Sequence, residues 1–269
     1  MEKAAVRSVT TSEVEHFSEH GWVHLPSLVD SDTVEGLHRV ADDRLSATKS
    51  EVGRGVGYVD RAFGQDRDIA AIEPDFRAVA HDKNMGDNAI RLLGSVHRVR
   101  LQISNLLVKE PVGSMLHSEE TVFHQDFPWL PMDRSSMLTV WVALVPVTAD
   151  MGSLRFVDRS HRLGVLGRSF VRDGDDMLSQ HPWLQQHSIA GGVDLQPGDA
   201  TVHHALTVHG APANSTERRR LSFAATYFGA DTLYTGAPYS QTDQLDPPLT
   251  VGSPFESPRF PLIDTRIEE

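Results

Sequence analysis

Residues 198–223 read GDATVHHALTVHGAPANSTERRRLSF. Two short strands fit here, Ala200–His204 and Arg219–Phe228, with turn-forming residues between them. On the second, Leu221, Phe223 and Ala225 take one face, so Arg220 and Ser222 point together from the other. Working outward, the same texture starts near Arg98. It predicts strands at Val99–Val108, Thr121–Phe127, Leu138–Val145, Ser153–Val157 and Ile189–Leu195. Seven strands without a βαβ alternation predict a mainly β protein of the antiparallel double-sheet type.

Before Arg98 the pattern is helical. Ser12 and Glu15 have capping-box spacing, with Val14 and Phe17 as apolar positions of a short helix ending at Gly21. Trp22–Pro26 reads as a strand, and Thr33–Ala47 as a second helix with Val34, Leu37, Val40, Ala41 and Leu45 on one face. Residues 50–68 hold four glycines and read as a loop, either plain surface or a lid. The tail from Gly229 is rich in Pro, Gly and Ser and should be irregular. No linker or repeat divides the chain, so residues 1–269 are expected to form one domain: helical decoration over 11–95, a β core over 96–228 and a tail over 229–269. Length alone suggests about two domains, but all-β units commonly reach this size.

Composition narrows the chemistry. The 269 residues carry 25 Lys+Arg against 37 Asp+Glu, a net charge of -12 that opposes nucleic acid and anionic membranes as partners. With no cysteine, thiolate nucleophiles and sulfur-ligated metals are excluded, so any metal needs His and carboxylate ligands. The longest apolar run, Met137–Val147, is too short to span a bilayer, and the start MEKAAVRSVTTSEVEHF has no signal core. A cytoplasmic protein is expected.

His124-Gln-Asp126 sets two metal-capable side chains on one face of a predicted strand. That is half of a 2-His-1-carboxylate site, which leaves three positions of an iron open. Alone the pair is weak: a chain with 14 histidines offers HxD by chance about once, and His117-Ser-Glu119 is a decoy. A third ligand must come from a neighbouring strand, where His203, His204 and His209 are all available. A buried Arg220 helped by the Ser222 hydroxyl would suit the terminal carboxylate of an oxo-acid cosubstrate. Singly, each feature also fits a structural role.

Together they resemble a known family. His124-Gln-Asp126, His209-Gly210, Asn214 and Arg220, eleven residues after the histidine, resemble the motif of the phytanoyl-CoA dioxygenase family of Fe(II)/2-oxoglutarate oxygenases. Phe17-x-x-x-Gly21, Lys109-Glu-Pro, Leu138-Thr-Val-Trp141, Gly152-Ser-Leu-Arg155 and Ser160-His161-Arg extend the resemblance over about residues 11–228. It implies a double-stranded β-helix (jelly roll) with the N-terminal helices outside the barrel. It also implies Fe(II) held by His124, Asp126 and His209, with Arg220 binding the distal carboxylate of 2-oxoglutarate, and Ser222 on the same strand face would complete that clamp. Trp141, Thr121 and Asn105 fall where relatives contact the cosubstrate, and His204 has counterparts that are not ligands.

The implied reaction couples decarboxylation of 2-oxoglutarate to succinate and CO2, using O2, with hydrogen abstraction from a small-molecule substrate. Hydroxylation is the default outcome, and epimerisation, ring closure or desaturation occur among relatives. Halogenating relatives leave the carboxylate position empty for chloride, and here Asp126 fills it. Phe127 and Trp129 are expected at the substrate, with the 163–187 insertion, Tyr234 and Tyr239 as further candidates. The acidic chain argues against a CoA thioester, although Arg155, Arg159, Arg162 and Arg168 form a local basic patch. The N-terminal and loop lengths look like those of bacterial members that tailor secondary metabolites, including antibiotics. Two other classes remain: a non-catalytic jelly-roll binding protein, and a cupin-like isomerase or hydrolase using another divalent metal without 2-oxoglutarate.

Overall fold

The computed structural model describes residues 5–49, 64–114, 118–169 and 176–265. Helix α1 (Thr11–His20) and strand β1 (Trp22–Leu25) precede α2 (Ser31–Lys49) and β2 (Gly64–Arg67). Three short helices follow, α3 (Ile69–Ile72), α4 (Pro74–Ala80) and α5 (Lys83–Leu93). The β region comprises β3 (Val99–Lys109), β4 (Thr121–His124), β5 (Met137–Ala143) and β6 (Arg155–Val157). After α6 (Met177–Gln180) come β7 (Ile189–Gly191), β8 (Ala200–His204), β9 (His209–Ala211) and β10 (Arg220–Gly229).

These strands make a six-stranded sheet ordered β1-β8-β5-β10-β3-β2 and a four-stranded sheet ordered β4-β9-β6-β7, every pairing antiparallel. The fold is the mainly β, two-sheet jelly roll expected. Strand β10 explains how the layers stack. Its Leu221, Phe223, Ala225 and Tyr227 join Val34 and Leu37 of α2, Phe76 of α4 and Met85 of α5 in one core. Phe76 meets Phe223 edge-on at 5.1 Å, and the Tyr227 hydroxyl donates to the Ala80 carbonyl at 2.8 Å. Each such fully buried side chain contributes about 1.5–3 kcal/mol, which holds the helices to the outer face of the large sheet. The other face of β10 turns toward the small sheet, where Ala224 packs with Trp141, Val147, Phe156 and Leu195.

The tail is largely irregular, as expected, but it is packed. Phe255 and Phe260 bury against Phe228, Met132 and Met137. No helix among the described residues is long and apolar enough to cross a membrane.

Four local expectations change. The capping box lies two residues earlier, at Thr10 and Glu13, where Arg7 also pairs with the Glu13 carboxylate at 2.7 Å. The predicted strand over Thr121–Phe127 stops at His124, and Phe127–Trp129 forms a 3-10 turn. The one over Ile189–Leu195 stops at Gly191, because Gly191 and Gly192 take φ of 83° and 64°, which an extended strand does not allow. Of the loop over 50–68, residues 50–63 lie outside the described residues, while Gly64–Arg67 pairs with β3 as an edge strand.

Gly210 sets how closely β9 approaches β4. A Cβ there would lie 2.7 Å from the Thr121 carbonyl oxygen and 3.2 Å from the Phe123 nitrogen, both rigid backbone. Gly210→Ala is therefore expected to push the two strands apart at a cost of about 1–3 kcal/mol, read as a lower urea midpoint.

Candidate metal centre

The pairing of β4 with β9 brings His124 opposite His209, with ring centroids 4.3 Å apart. Each imidazole is oriented by its own strand: Nδ1 of His124 donates to the Val122 carbonyl at 2.8 Å, and Nδ1 of His209 to the Thr207 carbonyl at 2.9 Å. A carbonyl only accepts, so the proton sits on Nδ1 and the Nε2 lone pair is the one presented for a metal.

Asp126 reaches the same point by leaving the strand. Its φ of -73° and ψ of -41° are helical, so it does not share a strand face with His124 as the HxD spacing suggested. Gln125 enforces the turn. Fully buried, it donates to the carbonyls of Gly164 and Leu206 at 2.9 and 2.7 Å and accepts from the Leu166 N–H at 2.8 Å. Asp126 Oδ1 then lies 3.7 Å from His124 Nε2 and 3.8 Å from His209 Nε2. One potential ligand atom from each of the three residues lies within 4.8 Å of the others, the one such cluster among the described residues. Two neutral imidazoles and a carboxylate form the donor set that suits a divalent iron.

Burial disfavours imidazolium, pushing His124 and His209 down to about 4, with the neighbouring histidines adding to the effect. Burial opposes ionisation of Asp126, but His209, His203 and His124 outweigh it and hold its carboxyl well below the ordinary range. The site therefore rests near neutral pH in its ligand-ready form.

A cavity of about 650 Å³ opens over these groups. Thr121, Asn105, Trp141 and Arg220 line it, as do His124, Asp126 and His209. Arg220 is 2% exposed, donates to the Gly152 carbonyl at 2.6 Å and lies 5.3 Å from the Trp141 ring, yet its Nε is buried without a partner. Burial alone lowers its pKa to about 9, and no carboxylate among the described residues pairs with it. Asn105 Oδ1 is likewise buried and unpartnered. Trp141 packs in the inter-sheet core and also faces the cavity.

Other expected residues fall elsewhere. Ser222 is not a cavity residue; its hydroxyl lies 3.5 Å from the Leu107 carbonyl. Phe127 packs with Met132, Phe255 and Phe260, whereas Trp129 lines the cavity with Arg168 stacked at 5.2 Å. The 3-10 turn separates them, because about 120° of rotation per residue sends positions two apart to different sides. Tyr239 lines the cavity, while Tyr234 packs 5.8 Å from Phe255. His204 faces away and accepts from the Leu206 N–H at 3.1 Å. His117 of the decoy pair lies outside the described residues.

Two further cavity residues take roles the sequence did not indicate: His203, there a candidate third ligand, and Gln102, not singled out at all. His203 Nε2 lies 3.3 Å from Asp126 Oδ2. Gln102 enters because the β3–β10 register breaks at Thr226/Tyr227, so that Gln102 and Ile103, adjacent in sequence, both reach the cavity. There Gln102 donates to the Tyr239 hydroxyl at 2.9 Å and to Gln241 Oε1 at 2.7 Å.

The buried histidines make stability pH-dependent. His124, His204 and His209 are held to about 4 chiefly by burial, against an ordinary 6.5. Between those values the unfolded chain binds more protons than the folded one, so stability falls as pH drops through that window. The depressed Asp126 works in the same direction only below its ordinary 3.8. Metal-free protein is expected to melt several degrees lower at pH 5 than at pH 7 by calorimetry.

Comparisons with known proteins agree with this geometry. The phytanoyl-CoA dioxygenase (PhyH) family signature matches residues 17–222. A probable phytanoyl-CoA dioxygenase of Caenorhabditis elegans is 22% identical over 144 residues, 52% of this chain and 46% of that protein. The chain thus spans about half the length of the curated relatives it matches. Among solved structures, the non-heme alpha ketoglutarate dependent carbocyclase SnoK from nogalamycin biosynthesis superposes with a TM-score of 0.78 at 26% identity, covering 95% of this chain and 96% of that one. The epimerase SnoN, solved with Fe3+, alpha ketoglutarate and nogalamycin RO, gives 0.76 at 29% identity, covering 94% and 97%. With the family signature spanning most of both sheets and the ligand cluster, the chain belongs to the phytanoyl-CoA dioxygenase family.

Proposed function

We propose that the protein is an Fe(II)/2-oxoglutarate-dependent oxygenase acting on a small-molecule substrate, with succinate and CO2 as coproducts. Helices, β core and tail would form one domain serving this site. His124, Asp126 and His209 would hold the iron, which when bound supplies the oxidising chemistry with O2. The observation that carries this reading is the buried, carboxylate-free guanidinium of Arg220 in the cavity that also contains the His-Asp-His cluster. An uncompensated buried cation is costly, and a dicarboxylate cosubstrate supplies the missing anion. A structural jelly roll, or a hydrolase working through the metal alone, has no need of such a group.

The chain's own residues divide the work. Arg220 would bind the distal carboxylate, with Thr121 and Asn105 as polar neighbours and Trp141 walling the pocket. Ser222 would act by fixing β10 rather than by touching the cosubstrate. On the substrate side, Trp129, Leu130 and Met137 offer apolar wall, and Gln102 and Tyr239 offer neutral hydrogen-bonding groups. A cavity of this size suits a drug-sized molecule with few polar contacts. Together with the likeness to the nogalamycin enzymes, this supports a natural-product substrate of secondary metabolism, altered by hydroxylation, epimerisation or ring closure.

Anaerobic addition of Fe(II) and then 2-oxoglutarate tests the reading, since chelation gives a visible charge-transfer band. The band is expected in the wild type and absent in Asp126→Ala; no band in the wild type would contradict it. Arg220→Met should weaken 2-oxoglutarate binding at least about 30-fold, equivalent to about 2 kcal/mol. The same variant should leave the ligand-free protein as stable as the wild type or more so, because a buried unpaired charge is removed. Calorimetric melts and 2-oxoglutarate titrations check both outcomes.

A further inference from the structure

Asp126 is gripped by only one of its two oxygens. Oδ1 faces the Nε2 atoms of His124 and His209, whereas Oδ2 lies 3.3 Å from His203 Nε2 and 3.3 Å from Thr139 Oγ1. The groups on Oδ2 form a row across the large sheet. Thr226 on β10 is the register partner of Thr139 on β5, and Thr139 is the register partner of His203 on β8. The two threonine hydroxyls lie 3.0 Å apart. A carboxylate oxygen only accepts, so His203 must present its Nε2–H and Thr139 its hydroxyl proton, leaving Thr226 to donate to Thr139.

His203 is built for that contact and for no other polar one among the described residues. It is 2% exposed, and its Nδ1 is buried without a partner. Its ring packs 4.0 Å from His209 and 5.8 Å from Phe156. The contrast with the ligand histidines is one of orientation: they anchor Nδ1 on backbone and aim Nε2 at the cluster, while His203 commits Nε2 to the carboxylate.

We propose that His203, seconded by Thr139, is a positioning residue that occupies Asp126 Oδ2 and so restricts the carboxylate to one-oxygen coordination of the metal. This rests on the oxygenase reading above and deepens it. A carboxylate bound through both oxygens would consume one of the three positions that cosubstrate and O2 need. Held by one oxygen, it leaves all three open.

Cobalt(II) is the probe, since its visible bands report coordination number and it can be titrated without turnover. His203→Leu keeps the bulk and removes the donor; His203→Gln keeps an N–H near the Nε2 position; Thr139→Val removes the second donor at equal size. The expected result is a cobalt affinity about 10–100-fold weaker in His203→Leu, with altered bands. His203→Gln should restore most of the affinity and the wild-type bands, and Thr139→Val should shift both in the direction of His203→Leu. Wild-type affinity and bands in His203→Leu would overturn the proposal, as would equal loss in the Leu and Gln variants, which would mean ring packing alone. If His203→Leu does not fold, unchanged bands in Thr139→Val together with lost binding in folded His203→Gln overturn it. Wild-type protein that binds no cobalt would instead contradict the metal-site reading itself.

Discussion

Everything at the site depends on one strand pairing. His124 and His209 are 85 residues apart in sequence, and the antiparallel match of β4 with β9 makes them direct neighbours. Both strands are short, so the pairing borrows its rigidity from surroundings. Gly210 lets the backbones approach, β6 flanks β9 on its other side, and Phe123, Val157, Met177, Leu184 and Val208 form a small core there. A two-strand ribbon of this length would not be stable in water by itself. The large sheet, packed by helices on its far face, provides the fixed wall against which the small sheet sets its histidines.

The second constraint is electrostatic. The cavity gathers one carboxylate, three imidazoles and three guanidiniums, of which Arg220's alone is buried, inside a chain of net charge -12. Burial keeps the ligand imidazoles neutral, the surrounding histidines keep Asp126 ionised, and Arg220 keeps a buried positive charge with no acid to answer it. Such a site is stable only because the rest of the fold over-determines it: Gln125 alone holds the bend before Asp126 through three buried hydrogen bonds. Family membership and these local forces point to the same assembly.

Much of this was legible in the sequence because it is carried by spacing. The HxD pair, the distant histidine followed by glycine, and the arginine eleven residues on keep their separations whatever the loops do, and alternation along β10 shows which face is apolar. What was illegible depends on departures from regular geometry. His203 meets Asp126 only because the chain leaves the strand at Asp126. Gln102 turns inward through a register break that no periodicity announces. Phe127 and Trp129 looked equivalent until a 3-10 turn sent one to the tail and the other to the cavity. Ser222 shares the strand face of Arg220 by alternation, but it is buried with its hydroxyl 3.5 Å from the Leu107 carbonyl and does not line the cavity.

The central claim is that one cavity holds the metal and the cosubstrate through His124, Asp126, His209 and Arg220. An anaerobic crystal structure with Fe(II) and 2-oxoglutarate tests it most directly. A single iron on His124 Nε2, Asp126 Oδ1 and His209 Nε2 is expected, with the cosubstrate's distal carboxylate on Arg220. Iron bound at other residues, or a carboxylate that leaves Arg220 unpaired, would contradict it.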